Sequence, residues 1–292
     1  MDFRDLNSLP SLLVLILIAF LSIYLVSCLF GRKKIDIKGK YVLITGCDTG
    51  FGRATAIKLD KMGACVLATC LTKEGEKSLK SEASDKLKTF QMDVTNSKQI
   101  KDVYEEIKTA ISPDGLWGLV NNAGILCLAP IEWSPLEDFK RTADVNIWGM
   151  IDVTKTFLPL LKMSKGRVEM QPWGMKVIVL EPGFFATKLS APEALERDLR
   201  KGWNYISKDL KKDYGEGYLK RAIQKVTNYR ALSDNSEVVT AIVKGLTSPS
   251  PSARYKVGLD SRYMLIPLGS LPAFIADFTF RVLFRPPQAR AG

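Results

Sequence analysis

The sequence predicts an α/β fold in which a doubly wound parallel sheet follows an N-terminal transmembrane helix. Three observations predict it. The apolar stretch Tyr41–Ile44 leads through Thr45-Gly46-Cys47-Asp48-Thr49-Gly50-Phe51-Gly52 into a pattern in which Phe51, Ala54, Ile57 and Leu59 recur at helical steps. Strand-like and helix-like stretches alternate after it. Leu12–Phe30 is a run of 19 residues without a charge, long enough as a helix to cross a bilayer.

Each glycine of the turn has a mechanical reason. Gly46 lets the chain leave the strand sharply, Gly50 lets a ligand approach the backbone, and Gly52 removes a side chain where the helix packs on the sheet. The free N–H groups and positive dipole end of the following helix favour a pyrophosphate. Strand, turn and helix together predict a dinucleotide site.

The later elements follow in order. Gly63 closes the first helix, and Ala64–Cys70 reads as a buried strand. Leu87–Met92 is a third strand ending at Asp93-Val94-Thr95, and Ile100, Val103, Tyr104, Ile107 and Ile111 form the stripe of the next helix. Leu116–Val120 is a fourth strand that delivers Asn121-Asn122-Ala123-Gly124. Ser134-Pro135-Leu136-Glu137 reads as a capping box opening a helix that runs through Asn146 to about Lys162. A strand is expected at Val177–Leu180, before Pro182-Gly183, and helices near Pro192–Leu210, Gly217–Val226 and Glu237–Leu246, the last capped by Ser236.

Composition removes several functions. A chain of 292 residues, 46% hydrophobic, buries one sizeable core. The charge of +11 comes from dispersed lysines and arginines, which reads as a solvated surface, resting if anywhere on anionic lipid and not on nucleic acid. With no histidine there is no Ser-His-Asp catalysis and little scope for zinc. Five scattered cysteines read as reduced thiols.

The chain divides into a short leader (1–11), a membrane anchor (12–30), a basic linker (31–40), the α/β domain (41–258) and an apolar C-terminal segment (259–292). Arg32, Lys33, Lys34, Lys38 and Lys40 follow the anchor, so the positive-inside rule places the domain on the cytosolic side. Pro267 and Pro272 argue against a straight membrane helix at Tyr263–Phe284 and favour a membrane-dipping hairpin or an apolar substrate funnel.

The Gly-x-x-x-Gly-x-Gly spacing, followed by Asn121-Asn122-Ala123-Gly124, resembles the short-chain dehydrogenase/reductase family over roughly Lys40 to Ser270. Val145-Asn146-Ile147-Trp148-Gly149 narrows the resemblance to its membrane-bound branch of retinol and 17β-hydroxysteroid dehydrogenases. The resemblance implies a Rossmann-type domain binding NAD, with NADP left open, through Thr45, Gly46, Gly50, Phe51, Gly52, Asp93, Asn122, Ala123, Gly124, Pro182, Gly183 and Thr187. It gives Asp93 the adenine and Asn146 the catalytic asparagine's place, holding a water in a proton relay. It also implies a lipophilic retinoid or steroid substrate, a compatible homodimer, and a membrane location in the endoplasmic reticulum, with the mitochondrial membrane as the alternative.

One block of the family pattern is missing. A serine on the fifth strand and a Tyr-x-x-x-Lys helix do the family's chemistry, and they belong between Val168 and the strand at Val177. Only Glu169 to Lys176 stand there, too few for the ~10–12 residues of a crossover with its helix. The fifth strand and following helix are therefore read as deleted near 168/169, with turnover impaired. Tyr104 and Lys108 repeat the spacing but sit before the fourth strand; Tyr205 and Lys208 are one residue too close. The alternative is a catalytically inactive nucleotide-binding or interaction protein.

Overall fold

The computed structural model describes residues 34–111, 113–164, 175–215, 217–228 and 234–284, with 14, 16–19 and 22 as isolated positions. The leader, most of the expected anchor and the Val168–Glu169 junction lie outside the described residues. Among the described residues no helix is long and apolar enough to cross a membrane.

The chain alternates as β1 (Tyr41–Ile44), α1 (Gly50–Lys61), β2 (Cys65–Cys70), α2 (Lys73–Lys80), β3 (Lys88–Gln91), α3 (Ser97–Ile111) and β4 (Gly118–Val120), as the sequence predicts except for α2, which was not expected. Next come α4 (Leu136–Ala143), a π-helical turn (Asp144–Gly149), α5 (Met150–Met163), β5 (Val179–Pro182), α6 (Pro192–Tyr205), α7 (Lys208–Tyr214), α8 (Tyr218–Thr227) and α9 (Asn235–Thr247). β6 (Arg254–Val257) and the short helices α10 (Ile266–Gly269) and α11 (Ala273–Phe284) complete the order.

The first four strands form a parallel sheet in the order β3-β2-β1-β4. Successive residues of a strand serve opposite faces. Val42 and Ile44 pack with Ala56, Leu59 and Ile242 beneath α1 and α9, while Leu43 packs with Ile107, Val153 and Phe157 beneath α3 and α5. This is a three-layer α/β core.

β5 and β6 pair in parallel with each other as a separate two-stranded sheet. The sheet is thus interrupted between β4 and β5. β6 was not expected from the sequence, because Arg254-Tyr255-Lys256-Val257 alternates charge with apolar residues and is too short to stand out.

Three local expectations are corrected. Ser134 forms no capping box: it is buried, its hydroxyl points to the Pro130 carbonyl at 3.4 Å, and Pro135 takes the cap position without a side-chain bond. The long helix does run through Asn146 to Met163 as expected, with a π turn in its middle, where a side chain on Gly149 would lie 2.7 Å from the Val94 carbonyl oxygen. The stretch Pro192–Leu210 is two helices, because Ile206 turns extended and buries itself while Ser207 caps α7 by accepting from the Leu210 N–H. Asp234, not Ser236, caps α9; its carboxylate accepts from both the N–H and the hydroxyl of Ser236.

At the C-terminal end, Pro272 separates α10 from α11, as the prolines predict. Helix α11 leaves Phe274 and Phe278 largely exposed.

Candidate functional site

The turn after β1, the ends of β2 and β3 and the loop after β4 surround a cleft of about 640 Å³. Gly46, Gly50, Phe51, Asp93, Asn122, Ala123, Gly124 and Thr187, all expected from the sequence, line it.

The glycines divide their labour as their spacing predicts. Gly46 has φ +71°, and a Cβ there would meet the Ala123 Cα at 2.8 Å, so two loops touch backbone to backbone. A Cβ on Gly52 would lie 2.5 Å from the Gly46 carbonyl oxygen, which packs the first turn of α1 on the loop. Gly50, at φ +65°, differs: a Cβ there would find only Thr187, at 4.0 Å. Its open side faces the cleft. Thr49 caps α1 with no side-chain hydrogen bond, so the N–H groups of the first turn are available to an anion.

Thr45, Asn122 and Ala123 tie the two loops. The Thr45 hydroxyl oxygen accepts from the N–H groups of Asn122 and Ala123, both at 3.0 Å, and the Asn122 amide donates to the carbonyls of Thr45 and Gly46. Thr45 and Gly52 therefore act beneath the cleft and do not line it.

Asp93 lines the cleft and closes a turn at once, accepting from the N–H and hydroxyl of Thr95 at 2.9 and 2.8 Å. Asn146 sits in the π turn, exposed, with both ends of its amide on one residue: Oδ1 accepts from the Ile125 N–H at 2.9 Å and Nδ2 donates to the Ile125 carbonyl at 2.8 Å. It holds the loop after Gly124 in place. Pro182 and Gly183 stand apart from the cleft lining; Asp260 fills the space a Gly183 side chain would need and accepts from the Phe184 N–H at 2.6 Å.

Several lining residues were not anticipated. Asp48 reaches across to the end of β2 and accepts from the N–H groups of Leu71 and Thr72 and from the Thr72 hydroxyl, at 2.7–2.9 Å. The sequence signal is the acid inside the glycine turn. Arg141 and Lys188 line this cleft and also a neighbouring cavity of about 410 Å³ beside Trp133 and Ser134. Ile125 and Leu189 are shared too, so the two spaces adjoin.

Three tyrosines, Tyr41, Tyr214 and Tyr218, are held away from proton exchange near neutral pH. Tyr214 donates to Glu132 at 2.6 Å and is pushed up to about 12 by burial and by that carboxylate; burial also raises Tyr218 and Tyr41. Tyr104 packs edge-on against Phe157 at 5.5 Å between ring centres, away from the cleft. The described residues also hold no group of three or more potential metal ligands.

The glycine-turn cleft on a parallel sheet defines a nucleotide-binding α/β class. The short chain dehydrogenase family model matches residues 40–169. "Dehydrogenase/reductase SDR family member 9" of Bos taurus is 36% identical over 84% of this chain and 88% of its own. "Retinol dehydrogenase 7" of Mus musculus is 35% identical over 90% of this chain and 95% of its own. A short-chain dehydrogenase structure from Streptomyces avermitilis shares the fold, with a TM-score of 0.63 at 19% identity, covering 85% of this chain and 98% of that one. The chain belongs to the short-chain dehydrogenase/reductase family, and its Rossmann-type fold implies NAD(P) binding.

Proposed function

We propose that this chain is a nucleotide-binding member of the retinol dehydrogenase branch whose hydride transfer, between NAD and a retinoid or steroid alcohol, is severely impaired. The observation that carries the nucleotide reading is the cradle at Gly50: a positive φ, open space toward the cleft and uncapped N–H groups at the start of α1. When bound, the nucleotide supplies or accepts the hydride. Thr45, Gly46, Gly52 and Asn122 hold the phosphate loop in shape, Gly50 and Phe51 face the pyrophosphate, and Asp93, Ala123, Gly124 and Thr187 flank the rest of the dinucleotide. Pro182 and Gly183 act indirectly, by setting the path to Thr187.

NAD is favoured over NADP by charge. The Asp48 carboxylate, reaching from the glycine turn to the residues after β2, repels a 2′-phosphate, while the basic residues that line the cleft among the described residues, Arg141 and Lys188, come from α4 and the loop after β5. Asn146 orders the Ile125 loop between the nucleotide cleft and the Trp133 cavity. That cavity is the candidate substrate side.

Impairment follows from what the chain lacks. The matched span with the bovine relative is 282 positions and takes 84% of this chain, about 245 residues, so about 37 positions of the relative face gaps here, more than the ~10–12 of a crossover. The break between β4 and β5 supports placing that block at the Val168–Glu169 junction. The lost serine and Tyr-x-x-x-Lys are the proton-transfer groups, whose removal costs about 10²–10⁴ in rate. The chain is also proposed to be membrane-anchored through 12–30, with the domain facing the cytosol, and the exposed apolar face of α11 supports contact with lipid. A homodimer is compatible with this reading.

Transcripts sequenced across the junction test the missing block. A longer form restoring a serine and Tyr-x-x-x-Lys is expected; no longer form, with dehydrogenase turnover by the chain as written, would refute the reading. Equilibrium binding is expected to favour NADH over NADPH at least ~10-fold, about 1.4 kcal/mol.

A further inference from the structure

β5 and β6 end level with one another: Pro182 pairs with Val257, and the Gly183 N–H donates to the Val257 carbonyl at 2.9 Å. Gly258, at φ +95°, then turns the chain back across that end, so Asp260 comes to lie over Gly183. Two glycines make room for it. A Cβ on Gly183 would overlap the Asp260 carboxylate, and one on Gly258 would meet Oδ1 at 2.8 Å and the Phe185 ring at 3.2 Å. Asp260 fills that space at 2% exposure.

A buried carboxylate is costly unless its oxygens are hydrogen-bonded. Both are: Oδ2 accepts from the Phe184 N–H at 2.6 Å, and Oδ1 accepts from the Ser261 N–H at 2.9 Å. Two N–H groups aimed at one place need a group that accepts twice and donates nothing, which a carboxylate is and an amide is not. One side chain thus ties the root of the loop after β5 to the turn Ser261–Leu265.

That loop reaches the nucleotide cleft at two points. Phe185 is buried and packs edge-on against Phe51, which lines the cleft, with ring centres 5.6 Å apart. Thr187 lines the cleft as well, 4.0 Å from where a Gly50 side chain would begin. Asp260 itself does not line it. We infer, on the nucleotide reading of this cleft, that Asp260 is a positioning residue of the nucleotide site: it fixes the root of the loop so that Phe185 and Thr187 stand against the phosphate turn. Releasing the carboxylate lets both withdraw from the pyrophosphate.

Calorimetric titration of the full chain with NADH tests this, beside thermal melts and hydrogen exchange at the Phe184 amide. Asp260→Ala should speed that exchange and weaken NADH at least ~10-fold. Asp260→Asn keeps the packing but turns an N–H₂ toward one of the two donors; it should weaken NADH ~3-fold or more, and it carries the test if the alanine variant does not fold. Asp60→Ala is the control. It removes another buried carboxylate, which accepts from the N–H and hydroxyl of Ser84 at 2.8 and 2.6 Å at the far end of α1, so it should lower the melting temperature and leave NADH affinity unchanged. Because Asp260 acts through Thr187, Asp260→Ala combined with Thr187→Val should weaken NADH by less than the product of the two single losses. Faster Phe184 exchange with undiminished NADH affinity, an equal loss of affinity in Asp60→Ala, or a double variant at the full product would each overturn the inference, and NADH binding by the parent would leave the nucleotide reading standing. A parent that binds no NADH would overturn both.

Discussion

Gly50→Ala separates folding from nucleotide binding. The added methyl meets only Thr187, at 4.0 Å, so packing is untouched and the stability cost is that of holding alanine at φ +65°, about 1–2 kcal/mol. Thermal unfolding should fall by about 2–4 °C per kcal/mol. The same methyl stands where the pyrophosphate approaches the backbone. Losing one charged hydrogen bond there costs about 1.5–3 kcal/mol, a ~10–150-fold weaker nucleotide. Gly46→Ala makes the contrast: its methyl falls 2.8 Å from the Ala123 backbone, so strain adds to overpacking of about 1–3 kcal/mol and the loss is chiefly in stability. Calorimetric titration with NADH beside thermal melts of both variants reads the two effects. Undiminished binding in Gly50→Ala would refute the cradle.

Three further outcomes follow from the geometry. Tyr214, raised to about 12 against an ordinary value of ~10, contributes stability that is complete below pH 10 and is lost as pH rises toward 12. Urea midpoints should fall over that range in the parent and less in Tyr214→Phe; parallel profiles would count against the Glu132 contact. Burial pushes Cys47 well up and Cys70 up to about 12, with Asp48 raising both, so iodoacetamide at pH 8 should label the half-buried Cys65 and Cys127 before Cys47 and Cys70. Mass spectrometry showing early Cys70 labelling would contradict this. Asn146→Ala removes both bonds to Ile125 and should cost about 1–2 kcal/mol, with faster hydrogen exchange at the Ile125 amide; unchanged exchange would show that the clasp does not order the loop.

The first half of the fold was legible because its signals are local. Strand, glycine turn and helix alternate up to β4, and the boundaries of the elements read from the sequence moved by at most two residues; α2, with Leu79 as its one apolar side chain, gave no such signal. Where tertiary contact decides, the sequence misled. The Ser134 box has the right residues, yet burial turns its hydroxyl to Pro130. The helix through Asn146 keeps its predicted course, but its π turn, where Gly149 packs against Val94, has no signal in the sequence. Asp48 was overlooked because its partners lie 23 and 24 residues on, at the end of another strand. β6 has no apolar run, and only its pairing with β5 makes it a strand.

The most direct test is a stopped-flow experiment on the purified full chain saturated with NADH and mixed with retinaldehyde, following loss of the reduced nicotinamide absorbance. Bound nucleotide that stays reduced is the predicted result, with the acid/base groups missing and the cleft intact. Oxidation at the ~1–10³ s⁻¹ of ordinary enzymes would contradict the account.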